Sequence, residues 1–150
     1  MTLTELQAYV MHQTNNDVDD LGDFTPYLTG YLNEGYDRLV NVYANAHAGD
    51  EGYPMLSLGT DAPQLPVWTH PAIANWATWL IYRNGNPNKQ QRGLQFRAAA
   101  EEVSAQVRAS GGLAGDTARA AGEPVGQIHN IPLAPYANSS APAGFDPYAT

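Results

Sequence analysis

Large apolar residues recur at helical spacing from Leu3 to Val107 and then lose all period. Leu3, Leu6, Tyr9 and Val10 share one face, and Thr2 and Glu5 form a T-x-x-E capping box ahead of them. A short first helix is therefore predicted over residues 3–13. NNDVDDLGDF breaks it with Asn, Asp and Gly, all turn formers. Thr25 then stands as an N-cap with Pro26 at the first helical position. Beyond it Leu28, Leu32, Gly35, Leu39, Val42 and Ala46 follow at three- and four-residue spacing. Asn33, Asp37, Asn41 and Asn45 fill the opposite side, and Glu34 and Arg38 stand at i,i+4. This is an amphipathic helix of roughly 30 Å. Gly30 and Gly35 each cost it about 1 kcal/mol against Ala, which makes sense if another backbone packs closely.

Residues 49–67 hold three prolines and three glycines, a long loop for a compact domain, and MLSL within it (Met55 to Leu58) suits a short strand or hairpin edge. His70 and Pro71 open a third helix. Ala72, Ile73, Trp76, Ala77, Trp79, Leu80 and Ile81 cover most of its circumference, so it is predicted to be the buried centre. Arg83 sits in its last turn and Asn84-Gly85 ends it. Asn86-Pro87 restarts the chain into a fourth helix running to about Ser110, with Phe96, Ala100, Val103 and Val107 as its inner seam. The expected fold is all-α: a small four-helix, antiparallel-leaning bundle over residues 1–110, followed by a long extended C-terminal arm over 111–150. That arm is rich in Gly, Pro and Ala, yet Ile128, Ile131, Leu133, Tyr136, Phe145 and Tyr148 are spaced along it. A plain solubilising tail lacks such residues, so these six are the candidate partner-binding positions. Pro132 and Pro135 bias the first four towards an extended strand that could pair with a neighbour.

Charge changes the picture. The formal net charge of -8 argues against tight nucleic-acid binding, which needs clustered Lys and Arg. Ten acidic residues from Glu5 to Asp61 face only Arg38 in the first half. Arg83, Lys89, Arg92, Arg97 and Arg108 then cluster against Glu101 and Glu102. Two readings stay open: solvated helix faces, or an acidic and a basic face that meet between identical subunits. The absence of Cys excludes disulfides, thiolate metal sites and a Cys nucleophile. MTLTELQAYV lacks the features of a signal peptide, and no stretch approaches the roughly 20 apolar residues of a membrane span. A soluble chain made in the cytoplasm, with no membrane contact, is expected.

No catalytic constellation stands out. Asp17, Asp19 and Asp23 with Gly22 occupy positions one, three, seven and six of an EF-hand-like loop. Leu21 and Leu28, however, fall where an oxygen ligand and a bidentate Glu belong. The run is better read as an acidic turn that caps the next helix. His12, His47, His70 and His129 form no i,i+4 pair and suit surface or capping roles. No serine lies in a G-x-S-x-G context, and no phosphate-binding glycine loop exists. Trp68, Trp76, Trp79 and Tyr82 are read as core rather than as a stacking platform. Tyr27, Tyr31, Tyr36 and Tyr43 are expected partly beside the buried stripe, where a neighbour could cover them.

Two stretches, TNNDVDDLGDFTPYLTGYLNEGYDRL (residues 14–39) and WTHPAIANWATWLIYRNGNPNKQQRGLQFRAAAEEV (residues 68–103), together resemble the small head-tail connector, or neck, proteins of long-tailed bacteriophages and prophages. The resemblance covers most of the body and none of the arm. It implies a non-catalytic virion protein without a cofactor, forming a ring, usually of twelve copies, under the portal protein and above the next neck or tail protein. DNA would pass through the channel without specific binding, and an acidic lining would favour that by repelling phosphate. No ligand residue carries over. The rival expectation is a small acidic binding module responsive to calcium, resting on Asp17 to Asp23. A weaker one is an enzyme whose site assembles only in three dimensions.

Overall fold

A helix that is apolar around most of its circumference must be covered on most sides, and the body is arranged to do so. The computed structural model describes residues 1–14 and 21–114. Among these the chain is helical, with no strand: α1 (Leu3–Thr14), α2 (Leu28–Ala44), α3 (His70–Tyr82) and α4 (Pro87–Ala109), with 3-10 turns at Thr25–Tyr27 and Val67–Thr69. Met1–Ala109 forms one unit, and a second begins at Ser110, of which only residues 110–114 are described. Helix α3 touches α1, α2 and α4, and Ala72, Ile73, Ala77 and Leu80 lose all contact with solvent. Leu6 and Val10 of α1 and Leu32, Tyr36 and Leu39 of α2 complete the core.

Two glycines set how closely the neighbours approach. A Cβ at Gly35 of α2 would lie 2.6 Å from the carbonyl oxygen of Ile73 and 3.1 Å from Trp76 Cβ. A Cβ at Gly93 of α4 would lie 2.7 Å from Tyr82 Cβ. The close packing expected of Gly35 is thus present, whereas Gly30 has nothing within 4 Å. In α4, Ala100 and Val107 are buried with Gly93 and Ser104. Val103 and Phe96 are half-buried, and Phe96 stacks on Tyr82 with ring centroids 5.7 Å apart and planes 3° from parallel.

The helix starts follow local chemistry. Glu5 N–H donates to Thr2 Oγ1 (3.3 Å) while Thr2 N–H donates to Glu5 Oε1 (3.0 Å), a reciprocal capping box. The remaining free donors of α1 are also met: Leu3 N–H by Asp61 O (2.7 Å), Thr4 N–H by Gly59 O (3.1 Å) and Leu6 N–H by Thr2 O (2.9 Å). At α2 the expected Thr25 cap is absent, and no side chain caps the helix. Thr25 and Pro26 lie in the 3-10 turn, Asp23 Oδ1 accepts the Thr25 N–H (3.1 Å), and α2 begins at Leu28. Asn45 ends α2 in the left-handed region at φ 53°. Asn86 Oδ1 accepts Lys89 N–H (3.0 Å) at the start of α4.

The long loop is tied down rather than folded into a strand. Asn33, expected on the polar side of α2, is buried instead. Its carboxamide accepts Leu56 N–H (2.8 Å) and donates to Leu56 O (2.9 Å), so one side chain does what a strand partner would do at the Met55–Leu58 segment. Asp61 Oδ2 accepts from Leu58 N–H (2.7 Å) and Ser57 N–H (2.8 Å), and these bonds hold its pKa below the ordinary carboxylate value. Tyr36 is wholly buried; its hydroxyl accepts Gln64 N–H (3.1 Å), and burial pushes its pKa up. Trp68, expected in the core, is 51% exposed on the second 3-10 turn, because α3 begins only at His70.

Gly35→Ala should destabilise the body by about 1–3 kcal/mol, since the new methyl meets backbone that cannot yield. Gly30→Ala, into open space on the same helix, should stabilise it by about 0.5–1 kcal/mol. Urea unfolding of the two variants beside the parent measures both signs. Equal effects would contradict the packing described.

Candidate functional site

The densest polar and aromatic cluster lies where α2, α3 and α4 meet. Trp76 and Trp79, one turn apart on α3, meet edge to face with centroids 5.7 Å apart and planes at 70°. Arg38, the one Lys or Arg of the chain's first half, places its guanidinium 4.9 Å from the Trp76 ring and 5.4 Å from that of Trp79. Arg83 and Arg97 each lie 5.0 Å from the Trp79 ring. Such contacts stabilise by about 0.5–2 kcal/mol apiece, the more so when water is excluded. Three like charges around one indole also repel, which Glu101 offsets by accepting from Arg97 Nε at 3.2 Å. The expected Glu34–Arg38 pair is present at 4.0 Å between half-exposed side chains, too long and too wet to contribute much.

A cleft of about 710 Å³ opens beside this cluster, with Trp76 among its walls. Glu34, Asp37, Arg38, Asn41, Val42 and His47 line it from α2 and the segment after it, and Glu101, Ser104 and Arg108 from α4. Two donors on lining residues, Trp76 Nε1 and Arg38 Nε, are buried without a hydrogen-bond partner among the described residues. A second cleft of about 510 Å³ is lined by Trp79, Arg83, Pro87, Gln90, Gln91, Leu94 and Arg97. The first cleft also contains a serine, a histidine and an aspartate. Asp37 Oδ1 meets His47 Nδ1 at 3.1 Å, but no hydrogen bond joins Ser104 to His47 among the described residues. The nucleophile–base link that defines a triad is missing.

The six candidate arm residues, Ile128, Ile131, Leu133, Tyr136, Phe145 and Tyr148, lie outside the described residues, as do His129 and Asp17, Asp19 and Asp20 of the acidic turn. Asp23 does not cap α2 as expected of that turn: it accepts Thr25 N–H two residues on, and neither the 3-10 turn nor α2 has a side-chain cap. Among the described residues no three His, Cys, Asp or Glu side chains stand close enough together to hold a metal ion. Of the four tyrosines of interest, Tyr36 is buried, Tyr31 and Tyr43 are half-buried and Tyr27 is exposed. The Arg38–Trp76–Trp79 cluster went unnoticed in the sequence, although one signal pointed to it. A lone arginine in an otherwise acidic half, inside a buried stripe's neighbourhood, has to be held by something other than its ion pair.

No protein-family model matches the chain, and no curated protein or solved structure matches it either. No helix of the described residues is long and apolar enough to cross a membrane.

His70 departs from the surface or capping role expected of it. It is buried at the start of α3, its Nε2–H donates to Leu65 O (2.9 Å), and its Nδ1 accepts from the α-amino group of Met1 (2.8 Å). One neutral imidazole thus ties the chain's first residue to the end of the loop. Burial lowers its pKa below the ordinary 6.5, and the positive charge of Met1 adds to this against the opposing bond to Leu65. The unfolded chain takes up this proton more readily than the folded one. Stability from His70 is therefore complete above about pH 6.5 and declines as pH falls from there to the lower folded pKa. In thermal unfolding between about pH 7.5 and pH 5, His70→Gln should show a shallower loss of melting temperature than the parent. Parallel curves would remove His70 as the titrating group.

Proposed function

We propose that this chain is a structural subunit of the head-tail connector of a long-tailed bacteriophage. Its body acts as a four-helix bundle, and residues 111–150 act as an extended arm that binds neighbouring proteins through Ile128, Ile131, Leu133 and Tyr136, with Phe145 and Tyr148 as a second contact. Copies close a ring, of twelve subunits in this reading, between the portal protein and the next neck or tail protein in the virion. DNA passes through without specific binding.

The observation that carries this reading is the loop between α2 and α3. It is fixed to the body by Asn33, Tyr36 and His70 and by the Asp61 carbonyl, which accepts Leu3 N–H, yet it displays large apolar side chains. Met55 is 53%, Leu58 66%, Val67 70% and Trp68 51% exposed. Holding such residues rigidly in water has a hydrophobic cost that a covering protein surface would remove. A rigid scaffold carrying apolar projections suits a subunit contact better than a substrate pocket, because little side-chain order remains to be lost on docking.

Negative-stain electron microscopy of the chain mixed with the cognate portal protein tests the proposal. Rings of this protein stacked on the portal are expected. Leu58→Ser/Trp68→Ser, which alters only exposed positions, should abolish stacking while leaving the melting temperature within a few degrees of the parent. A portal that stays bare with the parent chain, or rings that form equally well with the double variant, would refute this account of the loop.

A further inference from the structure

We propose that copies of this chain join head to tail, the acidic turn of residues 47–53 on one copy seated in the cleft of Trp79, Arg83 and Arg97 on the next. That cleft, of about 510 Å³, lies between the end of α3 and the first half of α4, and no carboxylate lines it. The Trp79 ring holds both guanidinium groups in place at 5.0 Å. Glu101 answers Arg97 at 3.2 Å, whereas Arg83 is exposed and has no ion pair among the described residues. Leu94, 45% exposed, adds an apolar wall. Such a cleft fits a carboxylate that has an apolar side chain beside it.

The chain carries that combination itself. Most described carboxylates are engaged: Glu5 caps α1, Asp23, Asp37 and Asp61 accept backbone N–H groups, and Glu34 and Glu101 face arginines. Glu51 and Glu102 have no bonding partner among the described residues. Glu102 stands on α4 next to Glu101, but Glu51 projects from a turn that is tightly bonded. His47 N–H donates to Asp50 Oδ2 (2.9 Å), Gly49 N–H to Tyr53 O (2.7 Å) and Tyr53 N–H to Asp50 O (3.0 Å). Met55, 53% exposed, packs against this turn, since a Cβ at Gly49 would lie 3.7 Å from its Cγ. Glu51 with Met55 thus matches Arg83 with Leu94.

The two surfaces lie apart on the body. His47 shares a cleft with Ser104, whereas Gln91 lines the basic cleft, about 20 Å away along α4. Unlike surfaces so separated repeat from copy to copy, closing a ring or running into a filament, and do not stop at a dimer. The net charge of -8 does not forbid this, because screening over about 8 Å at physiological salt leaves the charges in contact to decide. The inference names the subunit contact of the proposed ring and rests on that reading for closure alone.

The chain has no Cys, so introduced cysteines report contacts without background. Full-length Met55→Cys and Gln91→Cys chains are mixed with a short bis-maleimide, and linked heterodimer is resolved by mass. It should form several-fold more than when Gln91→Cys is mixed with Ala8→Cys, an exposed position on α1. Adding Arg83→Glu to the Gln91→Cys chain should cut the yield about fivefold, and Glu51→Arg on its partner should restore it. A chain carrying both cysteines should link into a ladder beyond the dimer. Linking no better than the Ala8→Cys control refutes the contact, indifference to Arg83→Glu refutes its charge pairing, and a ladder that stops at two refutes the head-to-tail arrangement. The first comparison keeps the native charges, so it holds even if Arg83→Glu does not fold. No portal protein enters, so the two proposals fail separately: bare portals with intact linking sink the connector reading, and rings on the portal without this link sink the contact.

Discussion

The close approach of α2 and α4 to the apolar helix α3 is the constraint on which the body depends. Helix α3 has little surface to give to water, so its neighbours must cover it, and small side chains let them approach closely enough to leave no gap. Gly35 meets the Ile73 carbonyl and Gly93 meets the Tyr82 side chain at distances no Cβ would tolerate. Each glycine weakens its own helix, and burial of the aromatic and aliphatic residues of α3 outweighs that loss. The polar cluster follows from the same approach. With α2 and α4 drawn in on Trp76 and Trp79, Arg38 and Arg97 lie against the indole faces, beside Glu34 and Glu101.

A second, smaller set of bonds governs the surface. Asn33, Tyr36 and His70 are buried groups that point outward into the loop and satisfy its backbone. Asp61 organises the turn that returns to cap α1. The loop therefore belongs to the body's cooperative unit, despite its prolines and glycines. Its apolar tips are presented by a fixed frame, and this is the physical basis for reading the loop as a contact surface.

Much of this was legible because helix signals are local. The T-x-x-E box at Thr2 and Glu5, the apolar circumference of α3, and the proline starts at Pro71 and Pro87 each predict structure from a few adjacent residues. The misses share a physical cause: they depend on residues far apart in the chain. Asn33 fits the polar face of α2 by spacing, and only the return of Leu56 draws it inside. Gly30 and Gly35 look alike in sequence, and only the position of Ile73 separates them. Trp68 reads as core by its neighbours, but lies just before the helix that would have buried it. Arg38 is placed by two rings that the sequence separates from it by more than thirty positions.

Native-state hydrogen exchange tests most directly whether α3, gripped by Gly35 and Gly93, is the element on which the rest stands. The amides from Trp76 to Ile81 should exchange most slowly of all, through global unfolding alone, with their exchange free energies equal to that of urea unfolding. Amides early in α4 should open more readily. If α3 instead exchanges through local opening while α1 or the second half of α4 holds the slowest amides, the centre of the structure lies elsewhere and this account of it is wrong.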